Sequence, residues 1–326
     1  MEHVVSNSPH VKCGNSTRKI MLDVVIALLP AAVAGIVYFG WRAALVIALS
    51  VVSAVLSEGI FLLCMKKSVR EIVRSFDCSS VVTGLLLALT LSASVPWYVP
   101  VLSAAFAVVV VKMLFGGTGK NLVNPALAGR IFAFISFQMV MTSGWLKPLS
   151  PNVEAGATIL PSLIHPTEDA ALSVWDFQWW ELFLGINVAG CIGETCKLAI
   201  ILGGIYLVCR GVLDFRWPLV YLLTAGLFTV ALNGFDFAYF FPSLFTGGIM
   251  LGAVFMATDY VTTPNTKAGN YVYFILLGLL TAGLRQATGI EVVSFAILLM
   301  NLTVPLIDKW IYPRPFGYRR IKKEAK

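Results

Sequence analysis

Apolar residues fill this chain in windows of about twenty, separated by short polar or glycine-containing breaks. The windows fall near 20–40, 43–65, 79–95, 97–115, 124–142, 185–209, 216–233, 243–258, 270–287 and 291–312. A helix of about twenty residues crosses ~30 Å of hydrocarbon. The pattern therefore predicts an all-α polytopic membrane protein with about ten transmembrane helices. The first window, Met21 to Gly40, is too long for the apolar stretch of a cleaved signal peptide and is read as a resident span. The third and eighth windows are short and glycine-interrupted.

One long polar connection, 143–184, separates five windows from five. It carries Glu154, Glu168, Asp169 and Asp176 against Lys147. Thr83-Gly84-Leu85 and the residues after it can be set beside Thr246-Gly247-Gly248 and its continuation, an offset of about 163. Because five is odd, a second copy enters the membrane in the opposite sense, the inverted repeat common among transporters. A chance match of two apolar sequences is the alternative. The expected organisation is an N-terminal segment 1–19, a first membrane repeat 20–142, an outer loop 143–184, a second repeat 185–312 and a basic tail 313–326.

Composition agrees with this pattern. Of 326 residues 58% are hydrophobic and 13% charged, where soluble domains carry about 25% charged residues, and the mean hydropathy is +0.83. Of the 24 basic residues, 18 collect on one face if the N-terminus is cytoplasmic, including Arg18, Lys19, Lys66, Lys67, Arg70, Arg74 and seven from Lys309 onward. The other face would hold Arg42, Lys147 and Arg285. This positive-inside bias predicts cytoplasmic termini and an outer 143–184 loop. The net charge of +7 reads as topology and lipid contact, and nucleic-acid binding is excluded.

Six cysteines, Cys13, Cys64, Cys78, Cys191, Cys196 and Cys209, form no metal-ligand spacing, and histidines number three. They read as small buried hydrophobes, so redox chemistry here would need an organic cofactor. Gly116-Gly-Thr-Gly-Lys-Asn-Leu-Val-Asn-Pro125 superficially resembles a phosphate loop but lacks the G-x-x-x-x-G-K-[ST] order. It offers glycine backbone, the amides of Asn121 and Asn124, and a proline suited to a helix start; a tight interhelical turn explains it equally. Charges within or at the ends of spans are Asp23, Glu58, Arg130, Glu194, Asp259 and Asp308. Each costs about 2.5–3.5 kcal/mol to insert, and such residues usually pair or line a polar path. Asp23, Asp308 and Glu194 lie near span ends and can reach the interface. Asp259 sits among the hydroxyls of Thr258, Thr262 and Thr263, a setting suited to Na⁺, to a ligand or to capping a break.

Met21-Leu-Asp-Val-Val-Ile-Ala-Leu-Leu-Pro30, Ser80-Val-Val-Thr-Gly-Leu-Leu-Leu-Ala-Leu-Thr90, Gly116 to Pro125, Phe255-Met-Ala-Thr-Asp259 and Leu298 to Asp308 together resemble the RnfD/NqrB family nearly end to end. A chain starting close to its first span is more similar to RnfD than to the longer NqrB. The resemblance implies a urea-transporter-like fold and a subunit of a complex in a bacterial or archaeal cell membrane. That complex passes electrons between ferredoxin and NAD⁺ while moving Na⁺ or H⁺, and this subunit is not catalytic alone. Implied partners are iron–sulfur and flavin subunits. Family members carry FMN linked through its phosphate to a threonine, attached by a flavin transferase that recognises a motif like D-x-x-[ST]-G-A-T. Here Asn152-Val-Glu-Ala-Gly-Ala-Thr158 keeps Gly156, Ala157 and Thr158 but departs at Asn152 and Ala155. The resemblance makes Thr158 the covalent FMN site.

Asn121, Asn124, Arg130, Asp259 and Thr262 are candidates for groups near a flavin ring or ribityl chain, and a second, non-covalent riboflavin, as in related subunits, is compatible with them. Asp23, Glu58, Asp259 and Asp308 are the ion-path candidates. A flavin-free inverted-repeat channel or solute transporter is the alternative function.

Overall fold

Helix α1 (Thr17–Phe39) shows how this protein packs. Ser16 caps its start, accepting from the Lys19 N–H at 3.3 Å, and Gly40, at φ +69°, ends it. Ala27, Ala31, Ala32 and Gly35 are buried, while Leu22, Ile26, Leu29, Val33 and Val37 are exposed. The inward face is mostly small residues, with Leu28 and Phe39 among them, while large apolar residues fill the outward face, which in a soluble helix would be polar. Small inward residues let membrane helices approach closely, and the outward stripe suits lipid. The same outward exposure recurs at Leu202 and Ile205, at Leu219, Leu223 and Leu227, and at Leu299, Leu302 and Leu306. The chain is a multi-pass membrane protein.

The computed structural model describes residues 16–155, 160–164, 178–186 and 188–311. After α1 come α2 (Trp41–Cys64), α3 (Val69–Ser75) and α4 (Ser79–Leu89). Helix α5 (Tyr98–Phe106) continues through a π-helical stretch, Ala107–Met113, and α6 (Pro125–Ser136) and α7 (Gln138–Thr142) follow. Strands β1 (Trp145–Lys147) and β2 (Ser150–Ala155) form an antiparallel hairpin with Trp145 opposite Ala155. Next are α8 (Leu160–Ile164), α9 (Trp179–Leu184), α10 (Lys197–Cys209), α11 (Arg216–Leu232) and α12 (Phe240–Phe245). Helix α13 (Ile249–Leu251) runs into a π turn, Gly252–Met256, before α14 (Lys267–Thr288) and α15 (Val293–Trp310).

Helices α1, α2, α14 and α15 are each long and apolar enough to cross a membrane. The eighth predicted span is broken, Phe237–Phe245 and Ile249–Met256 bending by 72°, and a second bend, of 68° between α3 and α4, falls just before the third predicted span. Four shorter apolar helices, Tyr98–Met113, Pro125–Ser136, Lys197–Cys209 and Arg216–Leu232, complete the described bundle. Ile249 follows its break 170 positions after Ser79 follows the first, so the breaks correspond at 170 rather than 163. Helix α14 starts 169 positions after α5, and α15 168 after α6.

The sixth predicted span, 185–209, is helical only from Lys197. Its first half is used differently. Helix α4 ends inside the bundle, leaving carbonyls that need partners; the Ile192 N–H donates to Leu91 O at 3.0 Å and the Gly193 N–H to Leu89 O at 2.8 Å. A Cβ on Gly193 would stand 2.5 Å from that of Leu89. The non-helical segment 188–196, which turns at 192–194, thus completes α4. The fifth span also divides, at Phe137. The 143–184 connection, read as loop, contains the hairpin, α8 and α9, and Leu149 N–H ties the hairpin to Tyr38 O at 2.8 Å.

Candidate functional site

Two cavities lie beside the two breaks. The first, about 120 Å³, is lined by Ser79 and Thr83 after the first break, by Lys112, Asn121 and Asn124, by Met21 of α1 and by Asp259. The second, about 190 Å³, is lined by Gly247 of the second break, Arg130, Glu194, Lys197 and Glu291, with Leu160 and Pro161 beside them. Leu207 lines the first and Lys197 the second. Both are on α10, ten residues apart, so the cavities sit about 15 Å apart along that helix at 1.5 Å per residue. Ile20, Met21, Val24, Gly119 and Asn121 line the first cavity, and 170 positions later Gly190, Cys191, Glu194, Gly289 and Glu291 line the second.

Sequence-derived candidates divide between them. Asn124 caps α6: its Oδ1 accepts from the Ala126 N–H at 3.0 Å, and its Nδ2 donates to Met256 O at 3.3 Å. It joins α6 to the end of the π turn Gly252–Met256. Asn121 donates from Nδ2 to Val123 O at 3.0 Å and holds its own loop. The loop needs glycine at 116, 117 and 119, all at positive φ. Asp259 accepts from the Val261 N–H at 3.4 Å and the Thr262 hydroxyl at 3.5 Å. Desolvation pushes the Asp259 carboxyl up from its ordinary value, against the pull of those two donors. Thr262 is buried behind Asp259. Arg130 stands at the second cavity, apart from the others. Gly156, Ala157 and Thr158 lie outside the described residues; Leu160, two positions further, lines the second cavity.

The ion-path candidates are separately engaged. Asp23 accepts from Tyr206 Oη at 3.1 Å and Arg210 Nε at 3.2 Å, joining α1 to the end of α10. Asp308 accepts from the Asn265 N–H at 3.0 Å and Nδ2 at 2.8 Å, fixing the loop before α14. Glu58 accepts from Lys112 Nζ at 3.0 Å and from the Ser80 hydroxyl. Among the described residues no three of His, Cys, Asp and Glu gather as a metal site.

Sequence reading left Lys112, Lys197, Arg285 and Glu291 without a role and put Glu194 near the interface. Glu194 is instead buried, its Oε1 accepting from the Cys191 N–H at 2.8 Å. Arg285, counted as a face marker, is buried too. It donates to Ser243 O at 2.9 Å, Thr246 O at 3.3 Å and Glu291 Oε2 at 2.9 Å, capping the end of α12 at the second break. The sequence signal was a basic residue inside each span that follows a broken one; what it reaches depends on the fold.

The family described as NQR2, RnfD, RnfE matches residues 4–317. The chain is 41% identical to a subunit of the Na⁺-translocating ferredoxin:NAD⁺ oxidoreductase complex of Acetobacterium woodii, covering 99% of this chain and 98% of that one. It is 36% identical to a subunit of the proton-translocating ferredoxin:NAD⁺ oxidoreductase complex of Clostridium ljungdahlii, over 97% and 96% of the two chains. A subunit of an Escherichia coli ion-translocating oxidoreductase complex is 33% identical, over 97% and 99%. By the extent of these matches, the chain belongs to the NQR2, RnfD, RnfE family.

Proposed function

We propose that the chain is a membrane subunit of an ion-translocating ferredoxin:NAD⁺ oxidoreductase complex that relays electrons through flavin. The observation that carries this reading is the full-length relation to subunits so named. Those relatives differ in the ion their names give, Na⁺ in one and H⁺ in the other, so the relation leaves the ion open. Iron–sulfur and flavin subunits would be its neighbours in the cell membrane, with both termini cytoplasmic.

Ten spans in two inverted repeats, a urea-transporter-like arrangement, account for the described helices. Support comes from the two bent pairs, the offset of 170 shared by their breaks, and the cavity linings repeated at the same offset. Each half of the fold then presents one cavity, at opposite ends of α10.

A flavin esterified through its phosphate to Thr158 would supply the one-electron chemistry that the side chains lack. The protein's part is placement. Lys112, Asn121, Asn124 and Asp259 at the first cavity offer charge and hydrogen-bonding groups for a second, non-covalent flavin such as riboflavin. Thr158, with Gly156 and Ala157 before it, would present an unhindered hydroxyl to a flavin transferase.

Co-expression with a flavin transferase tests the attachment. The wild-type chain is expected to fluoresce in a denaturing gel and Thr158→Ala to be dark. A dark wild-type band, with no flavin on the Thr158 peptide by mass spectrometry, would overturn the covalent assignment; a colourless purified complex would favour the flavin-free transporter.

A further inference from the structure

The bend before α4 sets α3 apart from the core. Helix α3 buries none of its residues, and of its apolar side chains Ile72 alone packs against the bundle. It meets α4 at 68°, so it lies across the bundle rather than along it. At about 100° per residue, Ile72, Val69 and Val73 form one apolar arc, Arg70 and Arg74 stand at its edge, and Glu71 and Ser75 face the other way. Val69 and Val73 are 64% and 68% exposed.

What covers the two valines follows from the helix before them. Val52, Leu56, Ile60 and Leu63 are exposed along α2, and on a helix long and apolar enough to cross a membrane such a stripe faces lipid. Met65, Val69 and Val73 continue the exposed apolar run past the end of α2. The charge beside it is unmatched. Lys66, Lys67, Arg70 and Arg74 are exposed, and no carboxylate among the described residues pairs with them. Glu71 is held in its own capping box, accepting from the Ser68 N–H at 3.2 Å. A basic amphipathic helix of this kind lays its apolar arc among acyl chains and lets its cations reach the phosphate level.

We infer that α3 is an interfacial helix that binds anionic phospholipid. Acyl chains lie on Val69 and Val73, and Arg70 and Arg74 take the headgroup phosphate, whose oxygens suit the planar guanidinium fork. Lys66 and Lys67 add positive charge beside them. The bound lipid acts on the interior through a short connection, because only three residues separate α3 from α4. There Asp77 accepts from the Ser79 N–H at 2.9 Å, Ser79 Oγ accepts from Lys112 Nζ, and both Ser79 and Lys112 line the first cavity. A lipid that fixes α3 therefore steadies one wall of that cavity.

The test is native mass spectrometry of the full chain in detergent, titrated with phosphatidylglycerol or with phosphatidylcholine of the same acyl chains. The wild-type chain is expected to bind phosphatidylglycerol more tightly. Arg70→Gln combined with Arg74→Gln should weaken that binding roughly thirtyfold, at about fivefold per cation near an anionic headgroup, and leave phosphatidylcholine binding unchanged. Equal affinity for the two lipids in the wild type, or an unchanged preference in the double variant, would overturn the inference. Arg70→Lys with Arg74→Lys controls for folding: most phosphatidylglycerol binding should remain, and a loss as large as that of the glutamine pair counts against a charge site. Val69→Ser with Val73→Ser should weaken the binding of both lipids, whereas no change would assign the cations to a soluble anion instead. Phosphatidylglycerol is expected to bind the assembled complex as it binds the chain, and binding lost on assembly would give α3 to a partner subunit and refute the lipid assignment.

Discussion

Lys112 Nζ lies 3.0 Å from Glu58 Oε1, with 3% and 13% of the two side chains exposed. The same ammonium donates to Ser79 Oγ at 2.5 Å and Ser80 Oγ at 3.0 Å, so a cation from the π-helical end of the fourth predicted span sits among oxygens at the start of α4. A carboxylate marked by the sequence as an ion-path candidate is already neutralised from within the fold.

Removing one partner of a buried ion pair costs about 3–5 kcal/mol, because the other charge is left alone, whereas replacing both is often neutral. Glu58→Gln and Lys112→Met should each lower the unfolding midpoint of the purified protein, and the double variant should recover most of the loss. Ion transport by the double variant decides the role of Glu58: full transport removes it from the path.

Arg285 does corresponding work at the second break. Replacing it with Met removes the ion-pair partner of Glu291, which keeps only the Val293 N–H, and the donor to the carbonyls of Ser243 and Thr246, and a loss of about 3–5 kcal/mol is expected. Arg285→Lys should recover only part of this, since lysine lacks the planar fork that reaches several acceptors together. Thermal unfolding in detergent of the two variants compares them directly.

Close helix approach makes another expectation. A Cβ on Gly278 of α14 would overlap Thr224 Oγ1 of α11, and one on Gly203 of α10 would overlap Ala27 O of α1. Gly203→Ala meets rigid backbone and should be the more damaging of the two. Gly278→Ala meets mainly the Thr224 hydroxyl, with Thr224 Cβ at 2.8 Å and the Ala225 N at 3.0 Å behind it, and a second change that removes the hydroxyl, Thr224→Ala, should rescue it in part. The yield of monodisperse protein after size exclusion reads both effects.

Asp259 makes stability depend on pH. Its carboxyl is raised in the folded state, so between the unfolded and folded values the folded chain holds more protons. Stability therefore falls as pH rises through that window. Asp259→Asn should flatten the dependence and stabilise the protein above the window. Unfolding midpoints of both proteins between about pH 4 and pH 8 check the sign; a wild-type midpoint rising with pH through the window would contradict it.

Much of the membrane character was readable because hydrophobic length is a local property: α1, α2, α14 and α15 are long apolar helices within the predicted windows, give or take a few residues. The break of the eighth window was visible too, at Gly247 and Gly248; in the third window Gly84 lies inside the continuous helix α4, and the bend comes before the window. The two breaks are 170 positions apart, not the 163 by which the letters align. Thr83-Gly84 and Thr246-Gly247 match in letters, but one lies within α4 and the other at the end of α12. The apolar character of 185–196 likewise concealed a segment whose N–H groups serve α4.

By itself, the sequence determined that the chain lies in a membrane as apolar helices and which residues carry charge into it, because burial in hydrocarbon depends on composition over about twenty residues. Only the tertiary structure decided what those charges meet. Lys112 and Glu58 are 54 positions apart, and Asp23 and Arg210 187; such pairings depend on where the breaks bend the chain. The separation of Arg130 from Asn121 and Asn124 is of the same kind. They are close in sequence, but α6 carries Arg130 away from the turn that holds the amides, toward the cavity with Glu194 and Lys197.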